Sequence, residues 1–186
     1  PEDTSDNKPL DDDSDALRYK EWEVAVLKLL PKAGDLSLCK NWRGICLLDI
    51  ASKIVSTVVV ARMKIVQKDI GLEMQNGFKN GCGTIDGSFS LGLAMQKRKE
   101  HGLETWALFI DLVKAFDTVP RGLLWDILRK YGMPDHFVNI IIRLHTNCKI
   151  KFTVGDIESI IDSLIGVRQG SCEGPILFTF IIQAAL

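Results

Sequence analysis

The sequence predicts an α+β domain in which a small antiparallel sheet packs against several helices. Three observations carry that prediction. The stretch "KIKFTVGDIESIID" alternates apolar and polar residues around Gly155 and Asp156, the pattern of a β-hairpin closed by a tight turn. Long segments, the longest from about Asp49 to Lys68, place apolar residues at helical spacing. With 46% hydrophobic residues among 186, the chain can bury a sizeable core in one domain or a little more.

Each element follows in chain order. Residues 1–16 form an acidic leader, predicted to be disordered: the first fifteen hold seven carboxylates against Lys8, a net −6. The remaining residues carry 22 basic and 17 acidic groups, a mildly basic body suited to a polyanionic partner. From Leu17 onward, "VAVLKLLP" predicts a strand stopped by Pro31 and Gly34, with a short helix as the competing reading. "NWRGICLL" predicts a second short strand, and the helix from Asp49 to Lys68 presents Lys53, Arg62, Lys64 and Lys68 as a wet basic face. "QNGFKNGCGTIDG", with four glycines in thirteen residues, reads as an ordered loop into a helix from Ile85 to Lys99, N-capped by Thr84. "TWALFID" is apolar at nearly every position, which predicts a strand covered on both faces. Helices are expected from Pro120 to Lys130, from Pro134 to Asn147, and from just after Pro175. Leu186 falls inside an apolar run without a C-cap, which suggests a domain that continues.

The five cysteines, Cys39, Cys46, Cys82, Cys148 and Cys172, are scattered and never spaced CxxC, so neither a disulfide framework nor a zinc site is indicated. The apolar run Ile176 to Leu186 is too short to span a bilayer, and no signal peptide opens the chain. An intracellular protein with no membrane partner is expected.

Several motifs carry chemistry. Asp111 ends the apolar run of "ALFIDLVKAFDTVPRG", and it has two readings: a cap for the following turn, or a strand-end ligand for a hard cation such as magnesium. Lys114 and Asp117 read either as a solvated pair or as parts of the same site. Arg43 in "NWRGI" offers a five-donor fork suited to phosphate. Gly77, Gly81 and Gly83 would let the chain approach a phosphate closely, but the segment is not GxxxxGK[ST] and does not follow a strand, which excludes a P-loop. "GVRQGSCEGP" reads as a strand-to-helix connection, or as a loop presenting the Gln169 amide and backbone groups to a sugar or base.

Taken in order, "LLPKAGD", "NWRGICLL" with "SKIVSTVVVARM", "QNGFKNGCGTID", "LFIDLVKAFDTVPR" and "GVRQGSCEGPILF" resemble the reverse transcriptase domain of non-LTR, LINE-like retrotransposons from about Trp22 to Leu186. The resemblance implies a right-hand polymerase fold, with fingers over about 17–104 and a partial palm over about 105–186. It implies RNA-templated DNA synthesis from deoxynucleotide triphosphates on a DNA primer, with two magnesium ions, in the cytoplasm and nucleus. Asp111 matches the first metal-binding aspartate, with the carbonyl of Leu112 beside it. Phe116 matches the ring beneath the incoming sugar, and Arg43, Lys32, Gln169 and Gly170 match nucleotide-binding positions. Gln75, Gly77, Phe78 and Arg168 match template–primer contacts, and Lys114 and Asp117 supporting positions.

Two departures stand out. Cys82 occupies a position that is usually basic in the family, and Asn80 one that is often proline. No adjacent pair of aspartates occurs after Asp13, so the family's second metal-binding hairpin, like its thumb, is expected to be missing and the chain by itself inactive. The competing expectation is a non-enzymatic nucleic-acid-binding remnant that uses Arg43, Arg62, Lys64, Lys97, Arg98 and Lys99.

Overall fold

The computed structural model describes residues 20–186, and the acidic leader lies outside them. Four strands and five helices follow a short 3-10 turn at Lys20–Glu23: β1 (Val24–Pro31), β2 (Trp42–Leu47), α1 (Ile50–Ile70), α2 (Thr84–Glu100), α3 (Arg121–Lys130), α4 (Asp135–His145), β3 (Lys149–Val154), β4 (Ile157–Asp162) and α5 (Gly174–Ala185). The architecture is α+β, with one four-stranded sheet in the order β2-β1-β3-β4.

That sheet is mixed, where an antiparallel one was expected. β1 pairs antiparallel with β2, and β3 with β4, but β1 and β3 run parallel from Val24↔Lys149 to Leu27↔Phe152. Two local hairpin-like pairs are legible from short-range pattern. Their side-by-side joining is a long-range event brought about by the helices between them. The β3–β4 turn has Gly155 at φ +60° and Asp156 at negative φ, the II′ type that matches strand twist.

The main core lies among the helices. Val59 and Met63 of α1, Leu124 and Leu128 of α3, Val138 and Ile141 of α4, and Leu177 and Phe180 of α5 converge there. The spacing of the α3 and α4 pairs is the one-face periodicity seen in the sequence. Each such side chain contributes about 1.5–3 kcal/mol by burial. The sheet has only a small separate cluster, Ala25, Cys46 and Leu48. α1 shows its basic side as expected, yet its buried face also holds Ser52 and Ser56. Its N-cap is Asp49, whose carboxylate accepts from the amides of Ala51 and Ser52.

Two further expectations fail. The cap of α2 is Gly83, one residue before Thr84, because the Asp86 carboxylate accepts from the Gly83 amide at 2.7 Å and does the capping that the threonine hydroxyl was assigned. The predicted strand at "TWALFID" does not form: residues 103–112 have no regular structure, and Trp106 is 91% exposed and Phe109 81%. A strand apolar on both faces needs ladder partners and a covering layer on each side, and the four strands present pair elsewhere.

Arg121 locks the helical half together. Its Nε donates to the Gly166 carbonyl and its Nη1 to the His145 carbonyl, both at 2.8 Å. Its Nη2 donates to Ser163 Oγ at 3.2 Å and to the Ile165 carbonyl at 3.4 Å. One fork therefore satisfies acceptors from the end of α4 and from the β4–α5 connection. Arg121→Leu is expected to lower the unfolding free energy by about 2–4 kcal/mol, because it strands those carbonyls. Arg121→Lys should recover only part of this loss, since a point charge cannot match the fork. Denaturant melts of the two variants check both expectations.

Candidate functional site

The residues that end the failed strand sit in a turn whose second half is firmly held. Lys114 adopts φ +49°, and its carbonyl accepts from the amides of Asp117 and Thr118 at 2.9 and 3.1 Å. The turn then docks on the 166–170 loop. The Val167 amide donates to the Phe116 carbonyl and the Gly166 amide to the Val119 carbonyl, both at 2.9 Å.

Glycine is required at two points of that loop. A Cβ on Gly166 would lie 2.8 Å from backbone atoms of Phe116 and Asp117, and one on Gly170 would lie 2.2 Å from the Cys46 carbonyl oxygen. Both glycines also have positive φ. The loop is thus pressed between β2 and the Phe116–Asp117 turn. Gln169 bridges the same two elements: its Nε2 donates to Asp117 Oδ1, and its Oε1 accepts from the Cys46 thiol at 3.4 Å. Burial pushes the Cys46 thiol up from its ordinary pKa, and the Asp117 charge adds to the effect while Arg168 opposes it, so Cys46 remains the protonated donor that this bond needs.

Phe116 is half-buried, its ring 4.6 Å from Phe178 of α5 and edge-on to Phe78 at 6.0 Å. The glycine-rich loop, the acid-bearing turn and α5 therefore meet at one aromatic stack. Phe78 has φ +58° and is 56% exposed, and Gln75 Nε2 donates to the Gly77 carbonyl at 3.0 Å.

The other expected site residues are more scattered. Asp111 and Leu112 lie on the exposed 103–112 segment, and among the described residues no side chain hydrogen-bonds Asp111. Arg43 is exposed on β2 opposite Leu30. Lys32 Nζ donates to the Lys40 carbonyl at 3.3 Å. Arg168 is only 5% exposed, and its guanidinium donates to the Trp22 carbonyl, so it faces the lead-in to β1 and not solvent. Cys82 is half-buried, and Asn80 accepts from Lys64 Nζ at 3.2 Å.

Sequence reasoning missed the buried ionisable groups near the site. His145 and Glu173 are both fully buried; the Nδ1 of His145 pairs with the Ile141 carbonyl at 2.9 Å, while its Nε2 and both Glu173 carboxylate oxygens have no hydrogen-bond partner among the described residues. The only signal was a glutamate just before the Gly-Pro that opens a helix.

Among the described residues, no group of three or more His, Cys, Asp or Glu side chains could hold a metal ion. Asp111 alone supplies an accessible carboxylate in the failed strand, fewer donors than a two-metal centre takes. No helix among the described residues is long and apolar enough to cross a membrane.

Residues 30–186 match the family described as "Reverse transcriptase (RNA-dependent DNA polymerase)", and the chain belongs to it. Its relatives come from non-LTR elements. It is 31% identical over 164 residues to the "Transposon TX1 uncharacterized 149 kDa protein" of Xenopus laevis, covering 87% of this chain and 12% of that protein. It is 25% identical over 170 residues to the "Retrovirus-related Pol polyprotein from type-1 retrotransposable element R2" of Popillia japonica, covering 89% of this chain and 23% of that protein. The R2DM Pol polyprotein of Drosophila melanogaster is 28% identical over 115 residues, 60% of this chain and 11% of its own length. The chain therefore spans under a quarter of the length of these relatives and is a reverse transcriptase domain of the LINE-like type.

Two stability measurements test this geometry. Gly170→Ala should cost about 3 kcal/mol or more, whereas Gly132→Ala, at nearly the same φ but with open space around it, should cost only the left-handed strain of about 1–2 kcal/mol. The difference measures the approach to Cys46.

The second concerns His145. Burial is the largest influence on it and holds its pKa below the ordinary 6.5, with Arg121 and Arg168 acting in the same direction and Glu173 and the Ile141 carbonyl against. Above pH 6.5 both folded and unfolded forms are neutral there; below it the unfolded chain takes the proton first. Stability should accordingly fall as pH drops from 6.5 through the folded-state pKa and then level off. Thermal melts between pH 7.5 and 5 should show this step in the native chain and not in His145→Gln.

Proposed function

We propose that this chain forms the fingers and most of the palm of an RNA-templated DNA polymerase, and that polymerisation belongs to a longer protein containing it. The family match carries this reading, and the clamped Phe116–Asp117 turn supports it. Asp111, with the Leu112 carbonyl, supplies the first ligands for magnesium. Phe116, held at a fixed height by Phe178, lies beneath the incoming deoxyribose and works by exclusion: a rigid ring leaves no room for a 2′-hydroxyl.

Gln169 and Gly170 shape the nucleotide pocket. Gln169 is oriented before substrate arrives, because its amide is held at both ends by Asp117 and Cys46, and that lowers the entropy cost of binding. Arg43 and Lys32, exposed around β2, meet the triphosphate, and Gln75, Gly77 and Phe78 the template–primer. Arg168 supports the site by anchoring the approach to β1, and Asp117 by fixing Gln169. Lys114 sets the turn.

Two-metal chemistry takes more carboxylates than the described residues bring together, and on this reading the chain alone does not extend primers. A primer-extension assay with an RNA template, DNA primer, deoxynucleotides and magnesium should show no incorporation by the chain alone; incorporation would overturn its assignment as incomplete. In the longer protein Asp111→Asn should abolish incorporation and leave the thermal melt unchanged. Activity retained in that variant would remove Asp111 from the site. Salt-dependent RNA binding, with incorporation absent even from the longer protein, would instead favour the remnant reading, to which exposed Arg62, Lys64, Lys97, Arg98 and Lys99 contribute.

A further inference from the structure

A cleft of about 400 Å³ opens between the C-terminal half of α1, the loop at 71–80 and α5. Its volume is within the range of about 300–1,000 Å³ typical of small-molecule sites. Ile70, Leu72 and Phe180 form its apolar floor, and Phe78 stands at its wall, 56% exposed. Lys64, Lys68 and Lys79 line it as well, and no carboxylate does so among the described residues.

The frame is fixed by amides. Gln183 Nε2 donates to the Ile70 carbonyl and its Oε1 accepts from the Leu72 amide, which ties the end of α1 to α5. Gln67 Nε2 donates to Thr179 Oγ1 at 2.8 Å. The lysines have only neutral acceptors: Lys64 donates to Asn80 Oδ1 and Lys79 to the Glu73 carbonyl. Three lysines and an apolar lining thus share the cleft, with no counter-charge in it among the described residues.

We infer that this cleft binds a small amphipathic organic anion, a flat apolar body against Phe78, Ile70 and Leu72 with a carboxylate, sulfonate or phosphate group at Lys64, Lys68 and Lys79. The cleft shares Gln75 and Phe78 with the template–primer surface proposed above, and its ligand class follows from the pairing of apolar lining and charge. A nucleic-acid strand passing over the lysines would leave the floor empty, whereas an amphipathic anion fills both.

The test is a fluorescence titration with 8-anilinonaphthalene-1-sulfonate at moderate salt. One saturable site is expected. Lys64→Gln and Lys79→Gln should each weaken it by about two- to fivefold, the range for a partly exposed ion pair. Leu72→Trp should fill the cleft and remove binding, and the uncharged N-phenyl-1-naphthylamine should bind more weakly. Trp106→Ser, which alters the exposed apolar segment, should leave the affinity unchanged. Unaltered affinity in the triple lysine-to-glutamine variant would overturn the inference, as would loss of binding in Trp106→Ser. The lysine changes are all on the surface, so the charge test stands even if Leu72→Trp fails to fold.

Discussion

The 166–170 loop lies against two backbones at once, and the arrangement of the site depends on that close approach. Its amides pair with the Phe116 and Val119 carbonyls on one side, and Gly170 rests on the Cys46 carbonyl on the other. β2, the turn after Asp111 and the start of α5 are remote in sequence; the loop touches the first two directly and leads into the third. Because the contact is backbone on backbone, side chains at 166 and 170 would force the elements apart. Gln169 can then span the gap in one extended side chain, and its amide orientation is dictated by a thiol donor at one end and a carboxylate acceptor at the other.

Buried charge holds the layer beneath. Arg121 reaches carbonyls at 145, 165 and 166, Arg168 reaches Trp22, and Glu173 and His145 are enclosed near them. Polar groups removed from water are costly unless satisfied, so the carbonyls that Arg121 and Arg168 reach favour one arrangement of the α4 end, the β4–α5 connection and the β1 lead-in. The same enclosure disfavours the imidazolium of His145, whose ring also meets Trp125 edge-on at 5.4 Å. Apolar packing in α3 and α4 gives the cohesion, and the Arg121 and Arg168 hydrogen bonds give the register.

Much of this was legible in sequence because it is local. The helices over 50–70, 121–130 and 135–145 follow from periodicity and from Pro120 and Pro134, and the hairpin from alternation around Gly155. The conjunction of Phe116, Asp117 and Gln169 was legible only through the family resemblance, since nothing in the spacing of 117 and 169 requires contact. Arg121 gave no signal at all: an arginine after a helix-starting proline is ordinarily a solvated first-turn residue, and its acceptors come from segments at least 24 positions away. The buried orientation of Arg168 was hidden for the same reason. The parallel joining of β1 to β3 was missed because parallel pairing leaves no short-range mark.

The contrast between α2 and the segment after it shows what a strand needs that a helix does not. α2 forms although none of its residues is buried, because its hydrogen bonds close within the segment and Asp86 caps it. Residues 103–112 are more apolar, yet their amides and carbonyls need another strand, and Trp106, Leu108, Phe109 and Ile110 stay exposed beside Asp111. The two parts of the proposed site therefore differ in how they are held. Phe116 and Asp117 are positioned by the 166–170 loop, independently of any neighbour for the apolar run. The run that ends at Asp111 has no ladder partner among the described residues, so no comparable contact fixes its carboxylate: a strand's position is set from outside the segment, a helix's from within it.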